Sequence, residues 1–252
     1  MSGIKTRKAE QGFTLVELAI VMIIIGLLIG GILKGQELIA NARVAATVTQ
    51  IKGIDSATST FQDKYNGLPG DLANSGTRLP NCTAAPCLVA AAATVGDGHI
   101  QNGATVSFTA APATETLAFF PQLAAADLVS GVNPTLGAVW GGDYPVAQIG
   151  GGFHVGYFAG GAQLNSGLVP AANTPSIRAG HYLALHNTPG GAVAANGIIT
   201  PNQAYRIDAK LDDGSPATGS VFPAGANACI NGANYNEVTD VNNCNLYIRF
   251  HQ

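Results

Sequence analysis

Residues 12–33 decide the fold: Gly12-Phe13-Thr14-Leu15-Val16-Glu17, followed by an apolar run that continues to Leu33. From Phe13 to Leu33 the run covers 21 residues and holds a single charge, Glu17. A helix of that length crosses a bilayer core about 30 Å thick. Lys5, Arg7 and Lys8 precede it, so this flank should stay cytoplasmic and the rest of the chain should pass outward.

Three readings compete for the segment. In the first it is a secretory signal, with Leu18 to Leu33 as the apolar core and Ala40-Asn41-Ala42 as the cleavage site, leaving Arg43 as the new terminus. That core is long, and Lys34 and Glu37 stand between it and the cut. In the second it is an uncleaved anchor, which explains the length but not Glu17. A carboxylate in a membrane helix costs about 2.5–3.5 kcal/mol near the centre and less towards the interface.

The third reading rests on the motif itself. Gly12-Phe13-Thr14-Leu15-Val16-Glu17 ahead of an apolar helix resembles the prepilin leader junction of type IV pilins and type II secretion pseudopilins. The resemblance implies that a prepilin peptidase cuts between Gly12 and Phe13 and that Phe13 is then N-methylated. It implies that residues 1–12 are a leader, whose loss takes Lys5, Arg7, Lys8 and Glu10 and changes the net charge from −3 to −5. It also gives Glu17 a role in assembly, meeting the terminal amine of a neighbouring subunit as a filament grows. An ionised carboxylate in an apolar setting needs a partner, and a charge left unpaired in each monomer would favour addition and register.

No proline occurs from Phe13 to Tyr65, and beyond the membrane the apolar positions Val44, Val48, Ile51, Ile54, Phe61 and Tyr65 keep helical spacing. The sequence therefore predicts one helix of about 50 residues and about 75 Å. Residues 13–35 are its transmembrane or filament-core part and residues 36–65 its amphipathic continuation, stopped at Asn66-Gly67-Leu68-Pro69-Gly70-Asp71. Gly26-x-x-x-Gly30 and Gly31-x-x-x-Gly35 are small-residue motifs that permit close helix packing. Many pilins carry a proline midway along this helix. Lys34 and its neighbours occupy that region here, which leaves open whether the helix loosens on assembly.

Residues 66–252 read as one distal α+β domain. Alternation from Gly151 to Ala159, Tyr182 to Leu185 and Leu246 to Phe250 predicts strands. Thr114 to Val129 predicts a helix that Pro121 must kink or divide, with Gly131 as its stop. Thr200-Pro201 is a helix start leading into Gln203 to Leu211 and ending by Gly214. The expected fold is pilin-like, a long N-terminal helix packed on an antiparallel sheet with short accessory helices. Weaker resemblance to large pilin-like proteins of Gram-negative bacteria lies in Gly67-Leu68-Pro69-Gly70-Asp71, Gly96-Asp97-Gly98, Glu115 to Leu128 and Asp208 to Gly214.

Cys82, Cys87, Cys229 and Cys244 form an even set in a chain expected to reach an oxidising compartment. Of three possible pairings, proximity favours Cys82–Cys87 and Cys229–Cys244, and the second would staple a C-terminal loop as in many pilins. His99, His154, His181, His186 and His251 lack the spacing of a zinc motif and read as surface or strand positions. Asp212-Asp213-Gly214 with Asp208 could hold calcium, but a solvated helix end explains them without it, and no cofactor is expected. Neither a Gly-x-Ser-x-Gly turn nor a phosphate-binding loop is present, so the chain does not read as an enzyme.

Composition agrees. Charged residues are 11%, less than half the roughly 25% of an average soluble domain, and the net charge is negative, which argues against a nucleic-acid partner. The resemblance implies a structural subunit of a type IV pilus-like surface filament, with copies of itself, prepilin peptidase and inner-membrane pilus or secretion machinery as partners. The subunit would sit as a single pass in the inner membrane before entering an extracellular or periplasmic filament. A type II secretion pseudopilin, and a minor or adhesive pilin, are the alternatives.

Overall fold

The computed structural model describes residues 14–89, 95–101, 114–134, 137–158, 178–189, 197–225 and 229–250. Helix α1 spans Leu15–Tyr65, so the expected start at Phe13 lies just outside the described residues. Contacts divide the chain into two compact units, Met1–Ala42 and Arg43–Gln252, with the division inside α1.

In the first unit the apolar side chains of α1 are bare: Leu15, Met22 and Leu27 are 86%, 74% and 73% exposed. In the second, Val44, Thr47, Val48, Ile51, Ile54, Ala57, Thr58 and Phe61 form one buried stripe at helical spacing. Thr47 and Thr58 join the expected aliphatic positions because their hydroxyls donate to carbonyls four residues back, of Arg43 and Ile54. The helix stops where Asn66 turns left-handed at φ 47°, its N–H donating to the Gln62 carbonyl at 2.7 Å. The Arg78 guanidinium donates to the Tyr65 carbonyl and so satisfies one of the helix's last acceptors.

Two short helices follow, α2 (Ser75–Arg78) and α3 (Glu115–Ala125). Of the two outcomes expected at Pro121, division of the helix is not seen: α3 is a single helix through it and ends at Ala125, short of Val129. Proline there removes one backbone donor, and the complete burial of Phe119, Phe120 and Leu123 around it holds the helix together. Gly70, at φ 88°, lies against the α3 N-terminus, where a Cβ would strike the Glu115 carbonyl. Gln122 ties the same region, accepting from the Gly70 N–H at 2.7 Å and donating to the Cys87 carbonyl at 3.0 Å.

The main sheet comprises β1 (Gly152–Phe158), β2 (Gly180–His186), β3 (Val221–Gly225) and β6 (Cys244–Phe250), all antiparallel in the order β1-β2-β6-β3. The strands β4 (Ile230–Asn231) and β5 (Asn234–Tyr235) form a separate two-stranded ribbon. Helix α4 (Pro201–Leu211) starts at the expected Thr200-Pro201, with a capping box in which Thr200 and Gln203 satisfy each other's backbone N–H. Pro223 is tolerated in β3 because that strand lies at the sheet edge.

Register assigns the faces. Phe153 and Val155 stand opposite Leu185 and Leu183, which stand opposite Leu246 and Ile248. That face shares one core with the α1 stripe, α3 and Phe250. The other face carries His154, Ala184, Tyr182, His186 and Tyr247, and these too are fully buried. The architecture is the expected pilin-like α+β fold. Cys82 is bonded to Cys87 and Cys229 to Cys244, the latter joining the β4–β5 region to the first residue of β6.

Candidate functional site

The N-terminal segment is built from the helix start. Gly12 and Phe13 lie outside the described residues, while Glu17 sits in the first turn of α1. Thr14 N–H and Oγ1 both donate to Glu17 Oε2 at 2.9 Å, and the Glu17 N–H donates back to Thr14 Oγ1 at 3.3 Å. This is a capping box, Thr14-x-x-Glu17, placing a carboxylate on the positive end of the helix. In a single chain the Glu17 carboxylate is thus held by neutral donors. Among the described residues no cation is recorded in an ion pair with it. The Thr-x-x-Glu spacing carried that signal within the residues already singled out.

Further along, Gly26, Gly30, Gly31 and Gly35 have no described atom beyond their chain neighbours and adjoining helix backbone within 4 Å of where a Cβ would stand. Lys34 and Glu37 pair at 2.7 Å on an exposed turn, an interaction worth little in water. The helix Leu15–Tyr65 is long and apolar enough to cross a membrane.

The distal clusters are separate from this segment in sequence. Asp208, Asp212 and Asp213 each present an oxygen within 4.8 Å of the others. Each has its own partners: Asp208 accepts from Tyr235 Oη at 2.7 Å and Gly214 N–H, Asp212 from Ser220 N–H, and Asp213 from Ser215 N–H and Thr218 Oγ1. These bonds account for the cluster as a knot that closes the turn after α4. Burial, with Asp212 and Asp213 adding to it, pushes the Asp208 carboxyl up to about 7 against the hydrogen bonds it accepts.

His154 on β1 and His186 on β2 are buried with rings 5.7 Å apart, edge-on to Tyr144 and Trp140 respectively. Burial drives them down to about 3 and about 4, so both are neutral in ordinary buffers. They are strand positions, as is His181, whose Nε2 accepts from the Ile100 N–H at 3.3 Å. His99 lies beside Asp97 at 3.5 Å and against the Tyr157 ring, and His251 is outside the described residues. The pairing of His154 with His186 depends on strand register, which no local pattern announced.

No curated protein and no solved structure matches the chain. A family model described as the prokaryotic N-terminal methylation motif matches residues 7–33, which include Arg7, Lys8, Gly12, Phe13 and Glu17. The chain thus carries the prokaryotic N-terminal methylation motif, the prepilin-type signature of type IV pilins and pseudopilins.

Proposed function

We propose that the chain is a structural subunit of a type IV pilus-like surface filament, cut between Gly12 and Phe13, methylated at Phe13 and polymerised through its N-terminal helix. The observation that carries this is the methylation motif fused to an apolar helix whose residues from Leu15 to Leu33 are uncovered in the single chain. Such a surface needs lipid before assembly and neighbouring helices after it. The motif is one of structural rather than catalytic proteins, and it implies a membrane-anchored precursor, prepilin peptidase and a pilus or secretion machinery.

In this reading Glu17 exchanges its Thr14 donors for the Phe13 amine of the next subunit. The neutral hydrogen bonds keep the carboxylate oriented until a cation arrives, and the charge pair then forms in a dry setting where it is stronger. The same motif and helix would serve a pseudopilin of a type II secretion system or a minor, adhesive pilin. Mass spectrometry of the mature terminus separates them. N-methylated Phe13 in sheared surface material supports the filament, whereas the same terminus confined to membranes supports a pseudopilin or minor subunit. A terminus at Arg43, or an intact Met1, overturns both. Glu17→Ala should leave the distal domain folded and cut filament yield by about tenfold or more, the factor that ~1.4 kcal/mol represents; unchanged yield refutes the assembly role.

A further inference from the structure

We propose that a cleft at one end of the main sheet binds a small ligand bearing an oxyanion, a carboxylate or a phosphate, held by Arg78 and Arg249. The cleft lies wholly within residues 62–249 and does not depend on the filament reading. Its volume, about 580 Å³, falls in the range of small-molecule sites. The end of α1, the turns around residues 66–73 and 96–99, and the ends of β1, β2 and β6 form its walls.

Charge is the first argument. The chain is net negative and has only five Lys and Arg beyond residue 65: Arg78, Arg178, Arg206, Lys210 and Arg249. Two of these line this one cleft, and Arg178 adjoins Ala179 in its wall. Among the described residues Asp71 is the one carboxylate in the lining, and its two oxygens already accept the N–H groups of Gly96 and Gly98. Asp97, beside the wall, is likewise engaged, by the His99 N–H at 2.9 Å and Gln101 Nε2 at 2.7 Å. Neither aspartate forms an ion pair with Arg78 or Arg249, and among the described residues neither guanidinium has a carboxylate within ion-pair distance.

Unused donors are the second. A guanidinium has five N–H groups in a fixed fork. Arg249 spends one on the Ala179 carbonyl at 3.1 Å, and its Nε is buried with no hydrogen-bond partner. That Nε is shut away from the cleft, so the donors a ligand can meet are the terminal N–H groups that Ala179 leaves unused. Gly180 makes the arrangement possible, because a Cβ there would come within 2.8 Å of the same Nε. Arg78 spends one donor on the Tyr65 carbonyl and is otherwise exposed. The two forks suit the flat, two-oxygen face of a carboxylate or the edge of a phosphate. Tyr157, with the His99 ring centred 4.0 Å away and the His181 ring 5.2 Å away, gives a flat wall beside them for the body of a polar ligand such as a sugar ring.

The test is isothermal titration of the detergent-solubilised full chain at low salt, with glucuronate and with inorganic phosphate as probes. Binding of either one with Kd below about 1 mM, weakening as salt rises, supports the site, and the probe that binds tells which oxyanion it takes. Arg78→Gln and Arg249→Gln should each weaken binding by about tenfold or more, and Arg249→Lys, which keeps the charge but not the fork, by less than Arg249→Gln. Arg78 is exposed, so its variant keeps the test valid should Arg249→Gln fail to fold. Silence of both probes up to about 10 mM with folded protein overturns the proposal, as does binding that Arg78→Gln leaves unchanged.

Discussion

From Leu15 to Ala42 and from Arg43 to Tyr65, α1 keeps one helical backbone, but Leu, Ile and Val fill 15 of the 28 residues in the first stretch and 4 of the 23 in the second, and they meet different surroundings. Ile51 and Phe61 are 3% and 0% exposed, while Leu15 and Met22 are almost bare. Polar residues account for the difference in design. Gln50, Lys52, Asp55, Gln62 and Lys64 mark the outer face of the later stretch, leaving one stripe for a core within the same chain. From Leu18 to Leu33 the earlier stretch is apolar all round, so no single core could cover it, and in the proposed function its requirement passes to the membrane or to other copies. Secondary structure alone does not tell the two apart; the distribution of polarity around the helix does.

The comparison can be broken at several strengths. Phe61→Ala should lower the stability of the distal unit by about 3–5 kcal/mol in urea unfolding followed by circular dichroism, whereas Leu27→Ala should leave that transition in place. Equal effects at the two positions would mean that the stretches are not independent. Removing the Cys229–Cys244 bond as the double serine variant should cost about 3 kcal/mol for a separation of 15 residues, read as a lower unfolding midpoint.

Acid sharpens the contrast, because the buried groups with shifted protonation that bear on it all belong to the distal unit. His154 and His186 stay neutral when folded, while in the unfolded chain they take protons below about 6.5. Each therefore withdraws up to ~1.4 kcal/mol of stability per pH unit as pH falls from there towards about 4. Asp208 and Asp143 act oppositely. Burial raises them to about 7 and about 6, so the folded chain holds their protons down to the unfolded value near 3.9, and they add stability as pH falls through that window. Urea midpoints at pH 7, 5.5 and 4 should fall more steeply for Asp208→Asn than for wild type, and less steeply for His186→Phe. The smallest expected change is at the α4 capping box, where Thr200→Ala should cost about 1 kcal/mol in the same assay.

Much of this was legible in local pattern. The proline-free helix, its polar-marked stripe, the Thr200-Pro201 start and the alternation of β1, β2 and β6 each follow from nearest neighbours in sequence. What was missed depends on partners far along the chain. β3 contains Pro223 and becomes a strand because β6 offers an edge to pair with. Pro121 stays helical because a core surrounds it. The second face of the sheet is buried as well, and its histidines meet because Gly152 stands opposite His186. At the N-terminal segment Glu17 was legible as a residue of interest, and its Thr14 partner lay three residues away unread. Arg78 and Arg249 are 171 positions apart, a juxtaposition only the fold reveals.

The strand order β1-β2-β6-β3 has a consequence for timing. A chain made from its N-terminus onward delivers β1, β2 and β3 before residues 244–250 emerge. Until they do, β2 and β3 each lack a neighbour, and the half-formed sheet presents open edges that could join another chain. The domain therefore completes late in its own synthesis: the last strand in sequence order slots between two that are already waiting, and release of a chain stopped before Cys244 would free a species primed to aggregate rather than a slightly shortened domain.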